Sequence, residues 1–315
     1  IRIGEGMTRL ARGGQALRAV ATLPAVTGAY GRPGGGALLL TAGSMDFNFS
    51  AVRKPPSGPA TTRLVNQSLL GRELLEMNDP PLRALFVAAN NPAVTCPEAG
   101  KVREGLSRED LFTVVLEQMQ TDTADYADIL LPSTTFLEHT DLYRAYGHHY
   151  VQLARPALPA PGETKSNFEV FQLLAKRMGF TDAALFDSED EMIRQTLASG
   201  HPFLEGVTLQ RLEQEHSVRL NVSPEGTPFQ PFAHGGFGGP EGRCVFDAAN
   251  LNYEPPLESR LGSRALLDRF PLELVSSKND NSMNSTFGHR DSVHEETTAL
   301  WMHTSDASAR QIADG

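Results

Sequence analysis

The feature of this sequence that most restricts its fold is a series of short, largely apolar segments separated by helix-length stretches. Ala84–Ala89, Leu111–Leu116 and Ile129–Leu131 have the length of buried strands and lack a polar/apolar alternation. Pro97–Leu106 and Thr123–Ala127, which lie between them, predict helices. Strands that are buried on both faces and connected by helices indicate a parallel sheet in an α/β fold.

Polar side chains follow each of these predicted strands. Asn91 comes after the first, Glu117 ends the second, and Ser133–His139 follow the third. Parallel sheets bind ligands in the loops at the carboxyl ends of their strands. We therefore expect a ligand site at this edge, and the alternative is that these are ordinary polar loop residues.

The rest of the chain alternates between helical patterns and breaks. Gly31–Gly36 is expected to be a turn, because it has neither the glycine spacing nor the Lys-Ser/Thr ending of a phosphate loop. Pro55–Pro59 is expected to be a second break. The further expected helices are Thr8–Leu23, Leu64–Leu75, one from a Ser166 or Asn167 cap to Gly179, and Ser188–Ser199, and the further expected strands are Ala37–Leu40 and Pro271–Ser276.

Composition excludes some classes of function. The net charge of −10 argues against binding to nucleic acid, which needs a basic surface. No run of 18 apolar residues occurs, so direct membrane insertion is not expected. Cys96 and Cys244 form no C-x-x-C motif and are expected to be free thiols. The chain opens at Ile1 without a recognisable leader, and its localisation stays open.

Six separated segments resemble, in their order and approximate spacing, the large catalytic subunit of molybdopterin-dependent oxidoreductases. That superfamily includes dimethyl sulfoxide reductase, formate dehydrogenase and nitrate reductase. The segments are Gly6–Gly14 with Leu23–Gly28 and Gly31–Gly36; Leu85–Val87 with Asn91-Pro92; Thr121–Ala124 with Tyr126–Pro132 and Phe136–Glu138; Pro161–Asn167; Gly235–Phe237 with Pro240–Gly242; and Asn284–Phe287 with Asp306-Ala307 and Ile312–Gly315.

The resemblance implies a fold in three parts. Residues 1–140 would be part of a parallel-sheet α/β domain that binds molybdopterin guanine dinucleotide. Residues 141–265 would be a mixed α+β connector, and residues 266–315 the start of a β-barrel C-terminal domain. The implied cofactor is molybdenum with two molybdopterin guanine dinucleotides. The parent protein would transfer two electrons by oxo or hydride transfer on a small substrate, and pass them to an iron–sulfur subunit or domain.

The resemblance also assigns cofactor-binding residues at matching positions. Glu117 matches an acidic residue that recognises guanine, since a carboxylate accepts the paired N1–H and N2–H₂ donors of the base. Asn91 and Asn167 match nucleotide contacts, and His139 matches a cofactor-contacting lysine of some relatives. The other implied contacts lie near the pterin and are Arg9, Lys278, Asn284 and Ser285.

Each assignment has a simpler alternative. Glu117 is otherwise a solvated loop acid, His139 a surface histidine, Asn167 a helix cap and Arg9 a solvent-facing charge. Ser133, Asp141, His148 and His149 could be drawn as a catalytic triad, but their spacing does not support one, and no catalytic or metal-binding residue is assigned.

Two further points stay open at the level of sequence. The cysteine-rich iron–sulfur segment and the molybdenum ligand of the family have no counterpart here, so we expect an internal-to-C-terminal fragment that is inactive alone. The substrate and oligomeric state are undetermined. The alternative functions are a molybdenum-free structural electron-transfer subunit of a respiratory complex and a nucleotide-binding module of unrelated function.

Overall fold

A computed structural model describes residues 1–10, 12–38, 47–53, 63–144, 146–232, 236–246, 252–276, 283–288, 290–293 and 299–314. The chain divides into two compact units, each built from separated stretches of sequence. The first unit comprises residues 1–57, 136–158 and 174–274, and the second comprises residues 58–135, 159–173 and 275–315. The division at residues 140 and 265 stays a prediction.

The described residues form six strands and ten α-helices, joined by short 3-10 turns. The strands are β1 Ala84–Ala88, β2 Phe112–Glu117, β3 Ile129–Pro132, β4 Asp141–Arg144, β5 Tyr150–Ala154 and β6 Ser217–Arg219. The helices are α1 Gly13–Val26, α2 Phe49–Arg53, α3 Leu70–Glu76, α4 Pro92–Thr95, α5 Ala99–Leu106, α6 Asn167–Arg177, α7 Glu189–Leu197, α8 Leu209–Glu215, α9 Arg264–Arg269 and α10 Thr304–Ala309.

The second unit contains the predicted parallel sheet, in the order β1-β2-β3. Successive side chains of a strand point to opposite faces. Leu85 packs against the apolar cluster of α3 and α5, whereas Phe86 contacts Phe171 of α6 with ring centroids 5.2 Å apart. Helices therefore lie on both faces of the sheet at β1, as the apolar strands predict. The third strand is less buried than predicted, since Ile129 and Leu130 of β3 are exposed.

Two glycines allow α3 and α5 to pack closely on this sheet. A Cβ on Gly105 would lie 2.6 Å from Leu74 Cβ, and one on Gly71 would lie 2.8 Å from the backbone nitrogen of Val102. Leu74 and Val102 are almost completely buried at this contact. A larger residue at either glycine would force the helices apart, which is costly in a close-packed core.

The first unit is built on an antiparallel sheet, in the order β4-β5-β6. In β5, Val151 and Leu153 are buried while Gln152 is exposed, so this strand has one face toward the core and one toward solvent. Its core also contains side chains from α7, α8, β6 and the connecting segments, namely Phe47, Ile193, Leu197, Leu204, Val207, Leu209, Leu212, Val218, Leu220 and Val222. The helix predicted over Ser188–Ser199 is α7, and Ser188 caps it by accepting a hydrogen bond from the backbone N–H of Glu191.

Several predicted boundaries need correction. The helix expected over Thr8–Leu23 is a 3-10 turn at Glu5–Arg9 followed by α1, which begins at the glycine pair Gly13-Gly14. Helix α3 begins at Leu70, after a 3-10 turn, and not at Leu64. Of Ala37–Leu40, only residues 37 and 38 are described, and Leu38 forms a single bridge to Arg2 with 44% of its surface exposed. The break at Pro55–Pro59 lies outside the described residues.

The strand predicted at Pro271–Ser276 is wrong. These residues form no regular element, and Leu274 and Val275 are 81% and 84% exposed. An apolar segment becomes a strand only where another strand completes its hydrogen-bond ladder, and no described residue does so here. The β-barrel that this strand was expected to open stays a prediction.

None of the helices in the described ranges is long and apolar enough to cross a membrane. Cys96 is buried beside α4, Cys244 is half-buried, and both are free thiols.

A candidate nucleotide site at the edge of the parallel sheet

The carboxyl ends of β1, β2 and β3 bring polar residues from distant parts of the second unit to one edge. Asn91 lies three residues beyond β1, Glu117 is the last residue of β2, and Ser133 follows β3 directly. Because the strands are parallel and in register, with Glu117 opposite Pro132, these residues share one edge of the sheet. The predicted common edge for Asn91 and Glu117 is present.

Asn91 is 6% exposed, and its side chain is engaged almost entirely within the protein. Its Oδ1 accepts hydrogen bonds from the backbone N–H of Thr123 at 3.1 Å and from the Thr123 hydroxyl at 2.7 Å. Its Nδ2 donates to the Asp122 carboxylate at 3.1 Å. One amide hydrogen is left for a ligand. The main role of Asn91 in this geometry is to join the loop after β1 to the loop between β2 and β3.

Glu117 is half-buried and keeps free hydrogen-bonding capacity. Its Oε1 accepts the backbone N–H of Gln118 at 2.8 Å, and no described residue binds Oε2. The backbone carbonyl of Glu117 accepts the Ser133 N–H at 3.0 Å, and Gln118 Nε2 donates to the Thr134 carbonyl at 3.0 Å. These bonds hold the ends of β2 and β3 together. One carboxylate oxygen of Glu117 is thus held by the main chain, and the other retains its capacity to accept hydrogen bonds.

Asn167, the first residue of α6, also reaches this edge. Its Oδ1 accepts a hydrogen bond from the Ser133 hydroxyl at 2.9 Å, and this leaves its NH₂ group without a described partner. The segment before it runs parallel to the end of β3, with a bridge between Lys165 and Ser133. Ser166 and Glu169 form a reciprocal capping box at the start of α6, so Ser166 rather than Asn167 is the cap.

The strand register assigns these groups to opposite faces of the edge. Glu117 follows Val115, which is buried in a cluster with Val87 and Ala124 on the face toward α5. Glu117 is paired with Pro132, so Ser133, the next residue, points to the opposite face of the sheet, toward α6. The edge has a carboxylate acceptor on one face and hydroxyl and amide groups on the other.

The remaining predicted site residues have no described contact with the residues of this edge. Arg9 and His139 belong to the first unit; Arg9 is exposed and paired with Glu5 at 3.4 Å, and His139 is half-buried. Asn284 and Ser285 form a tight turn of the second unit, with Asn284 in the left-handed conformation. Lys278 lies outside the described residues. The roles of all these residues stay predictions.

The structure adds residues that sequence reasoning did not single out. Asp122 and Thr123 bond to Asn91, and Lys165 lies beside Asn167 in the segment that pairs with Ser133. All three lie in segments that carry the family resemblance, which was the available signal. The Asp128 carboxylate has a structural role, because it accepts a hydrogen bond from the backbone N–H of Thr113 at 2.7 Å. Within the described ranges, no group of three or more His, Cys, Asp or Glu residues is placed to hold a metal.

Comparison with known proteins identifies the family. The molybdopterin oxidoreductase family model matches residues 1–177. The chain is 40% identical over its full length to "Probable oxidoreductase YoaE" of Bacillus subtilis, and 30% identical over 90% of its length to "Probable oxidoreductase YyaE" of the same organism. It spans 46% and 43% of those relatives, which is less than half of each.

Further matches agree with this assignment. The assimilatory nitrate reductase catalytic subunit of Bacillus subtilis is 29% identical over 46% of the chain and 21% of its own length. Acetylene hydratase from Pelobacter acetylenicus has a similar fold, with a TM-score of 0.57 and 20% identity over 80% of this chain and 35% of that one. The chain with this parallel-sheet edge belongs to the molybdopterin oxidoreductase family.

Proposed function

We propose that the carboxyl edge of the β1-β2-β3 sheet binds the guanosine end of a molybdopterin guanine dinucleotide. The observation that carries this proposal is the Glu117 carboxylate, which stands at a ligand-binding edge with one oxygen uncommitted among the described residues. Guanine offers two adjacent donors, N1–H and N2–H₂, and a carboxylate accepts both in parallel. Adenine lacks that pair, so the same carboxylate favours guanine.

The other groups at the edge fit such a ligand. The Asn167 NH₂ group is a free donor for a sugar, base or phosphate oxygen, and Asn91 keeps one amide hydrogen. When bound, the cofactor supplies two-electron oxo or hydride transfer on a small substrate, while the protein supplies binding and orientation. In this proposal Glu117 selects the base, Asn167 holds a polar oxygen, and Asn91 keeps the surrounding loops in place.

The proposal extends to the protein that carries this chain. We propose an oxidoreductase with two such dinucleotides on one molybdenum, whose electrons pass through iron–sulfur clusters to a partner subunit or domain. A relative in Methanocaldococcus jannaschii, 25% identical over 70% of the chain, is named as the alpha subunit of an F420-dependent formate dehydrogenase. That relative is one subunit of a larger enzyme, which supports the proposal of a partner subunit for the protein that carries this chain.

Nucleotide binding to the purified chain tests the proposal. Titrations with GDP, ADP and IDP, followed by ligand-observed NMR, should show GDP binding more tightly than ADP by about 1–3 kcal/mol, or roughly five- to 150-fold. IDP lacks the N2 amino group and should bind with intermediate affinity, because one of the two hydrogen bonds to Glu117 is lost.

The matched variants are Glu117→Gln, Glu117→Asp and Glu109→Gln. Glu117→Gln places an NH₂ group against a guanine donor, so it should weaken GDP binding and abolish the preference over ADP. Glu117→Asp keeps the carboxylate and should have a mild effect. Glu109 is an exposed acid near the amino end of the same strand, and its substitution should change nothing. Equal affinities for GDP and ADP, or a preference that survives Glu117→Gln, would refute the role of this edge.

A further inference from the structure

The segment that precedes α6 extends the edge of the sheet and fixes the position of Lys165. The Lys165 N–H donates to the Pro132 carbonyl at 3.2 Å, and the Lys165 carbonyl accepts the Thr134 N–H at 3.2 Å. These bonds pair Lys165 with Ser133 in parallel orientation. The main chain of Lys165 is therefore held at the carboxyl edge, although its side chain is exposed.

Lys165 shares a face with the groups that hold Asn167. Residues paired across neighbouring strands point to the same face, so Lys165 lies on the face of Ser133, opposite that of Glu117. The Ser133 hydroxyl binds Asn167 Oδ1 at 2.9 Å and leaves the Asn167 NH₂ group as a donor. The main chain of Lys165 and the Asn167 amide are thus both held on the α6 face, and each side chain has a donor available.

The charged side chains at the edge differ between the two faces of the sheet. No described residue pairs with the Lys165 ammonium group. On the same segment, the Glu169 carboxylate accepts the Ser166 N–H at 2.9 Å and is held at the start of α6. The uncommitted acceptor, Glu117, belongs to the other face, and Asp122 is bonded to Asn91. Among the described residues, the uncommitted acceptor of this edge therefore lies on one face and its unpaired ammonium group belongs to the other.

We propose that Lys165 binds the diphosphate of the nucleotide, beside the Asn167 amide that Ser133 orients, and so determines which way round the nucleotide lies across the sheet edge. This inference rests on the proposed function of the edge. A guanosine diphosphate moiety has donors at its base and anionic oxygens at its other end, which matches the two faces. A lysine ammonium group binds phosphate oxygens as a point charge with three donors.

A comparison of GDP with guanosine on the purified chain isolates the phosphate contribution. Lys165→Met removes the charge and keeps the length of the side chain. It should weaken GDP binding about fivefold, the effect of an exposed charge contact of about 1 kcal/mol, and leave guanosine binding unchanged. Lys165→Arg should restore GDP affinity. Lys176→Met removes an exposed charge from the last turn of α6 and should change neither ligand.

The same titrations separate the failure of this inference from that of the proposed function. If Lys165→Met leaves GDP affinity unchanged, or weakens GDP and guanosine equally, Lys165 does not bind the diphosphate. The guanine site still stands in that case, provided that Glu117→Gln abolishes the preference for GDP over ADP. If the unmodified chain binds neither GDP nor guanosine, the proposed function and this inference are both overturned.

Discussion

Polar residues at the strand ends are used differently in the parallel sheet of the second unit and the antiparallel sheet of the first. The carboxyl ends of β1, β2 and β3 meet at one edge, where Glu117 and Asn167 retain free hydrogen-bonding capacity. In the antiparallel sheet the residues that follow β4 and β5 lie at opposite edges. Arg155, which follows β5, is tied to Asp190 at 2.7 Å, to Glu213 at 3.0 Å and to Thr140 at 3.2 Å.

This difference shows how strand direction affects where polar residues keep free hydrogen-bonding capacity. Parallel strands concentrate loop residues at a single edge, and the protein can leave some of them unsatisfied for a ligand. Antiparallel strands distribute their loops between two edges, and a polar residue there is more readily satisfied by neighbouring helices. Asn91 shows that the parallel edge also contains structural residues, because nearly all of its hydrogen-bonding capacity is used within the fold.

The largest effect is expected from Asn91→Ala. The substitution leaves the buried Thr123 N–H and hydroxyl without their acceptor and removes the donor to Asp122. The free energy of unfolding should fall by about 2–4 kcal/mol, measured by urea denaturation.

An exposed asparagine provides the control for that experiment. Asn66 accepts one backbone hydrogen bond from Ser68 at the start of a 3-10 turn, so Asn66→Ala should cost about 1 kcal/mol or less. If Asn91→Ala were equally mild and instead weakened GDP binding, Asn91 would be a ligand contact rather than a structural residue.

A smaller effect is expected from Arg155→Met in the first unit. The guanidinium group is about one-third exposed, so solvent screens its ion pairs, and the free energy of unfolding should fall by about 1 kcal/mol. The affinity for GDP should not change, because Arg155 belongs to the antiparallel unit. A loss of GDP affinity without a loss of stability would show that the ligand site is not confined to the parallel edge.

The titration of His149 in the first unit should make the free energy of unfolding depend on pH. Burial, followed by the charges of Arg219 and His148, lowers the pKa of His149 below its usual value of 6.5, and its buried Nδ1 has no hydrogen-bond partner among the residues that the structure describes. The unfolded chain therefore takes up a proton first as the pH falls. Above pH 6.5 His149 is neutral in both states and does not reduce the free energy of unfolding. Stability is lost as the pH falls from 6.5 through the lower folded-state pKa.

The variant His149→Phe should flatten this part of the profile. The substitution removes the titrating group and keeps an aromatic ring against Phe229, whose ring centroid lies 5.0 Å from that of His149. Urea titrations of the two proteins at a series of pH values below neutrality make the comparison. Parallel profiles would assign the acid sensitivity to another group.

The smallest effect is expected from Glu98 in the second unit. Hydrogen bonds from Arg72 and then Lys101 lower the pKa of the Glu98 carboxyl from 4.5 to about 2. The stabilisation is present above pH 4.5 and is lost as the pH falls toward 2, because the folded state holds the carboxylate ionised longer than the unfolded state. These side chains are exposed to solvent, so Glu98→Gln should lower the free energy of unfolding only slightly above pH 4.5, and less in high salt. The difference between the two proteins should vanish as the pH falls toward 2.

The strands of the parallel sheet could be predicted from local sequence. Ala84–Ala89, Leu111–Leu116 and Ile129–Leu131 are apolar and of strand length, and each lies within one residue of an observed strand. The placement of Asn91 and Glu117 at one edge follows from strand direction alone. The strands of the antiparallel sheet were not predicted, because β4 and β6 are only four and three residues long and show little alternation.

Local sequence thus specified the α/β class, the common edge and the acid at the end of β2, because burial pattern and strand direction are encoded in consecutive residues. It did not specify which edge residues stay free to bind a ligand. The Asn91–Thr123 bonds join residues 32 apart, and the Ser133–Asn167 bond joins residues 34 apart. Such bonds form only when the folded sheet brings the loops together. Tertiary contacts therefore decide that the Asn91 side chain is used within the fold, whereas Glu117 and Asn167 keep groups free for hydrogen bonding.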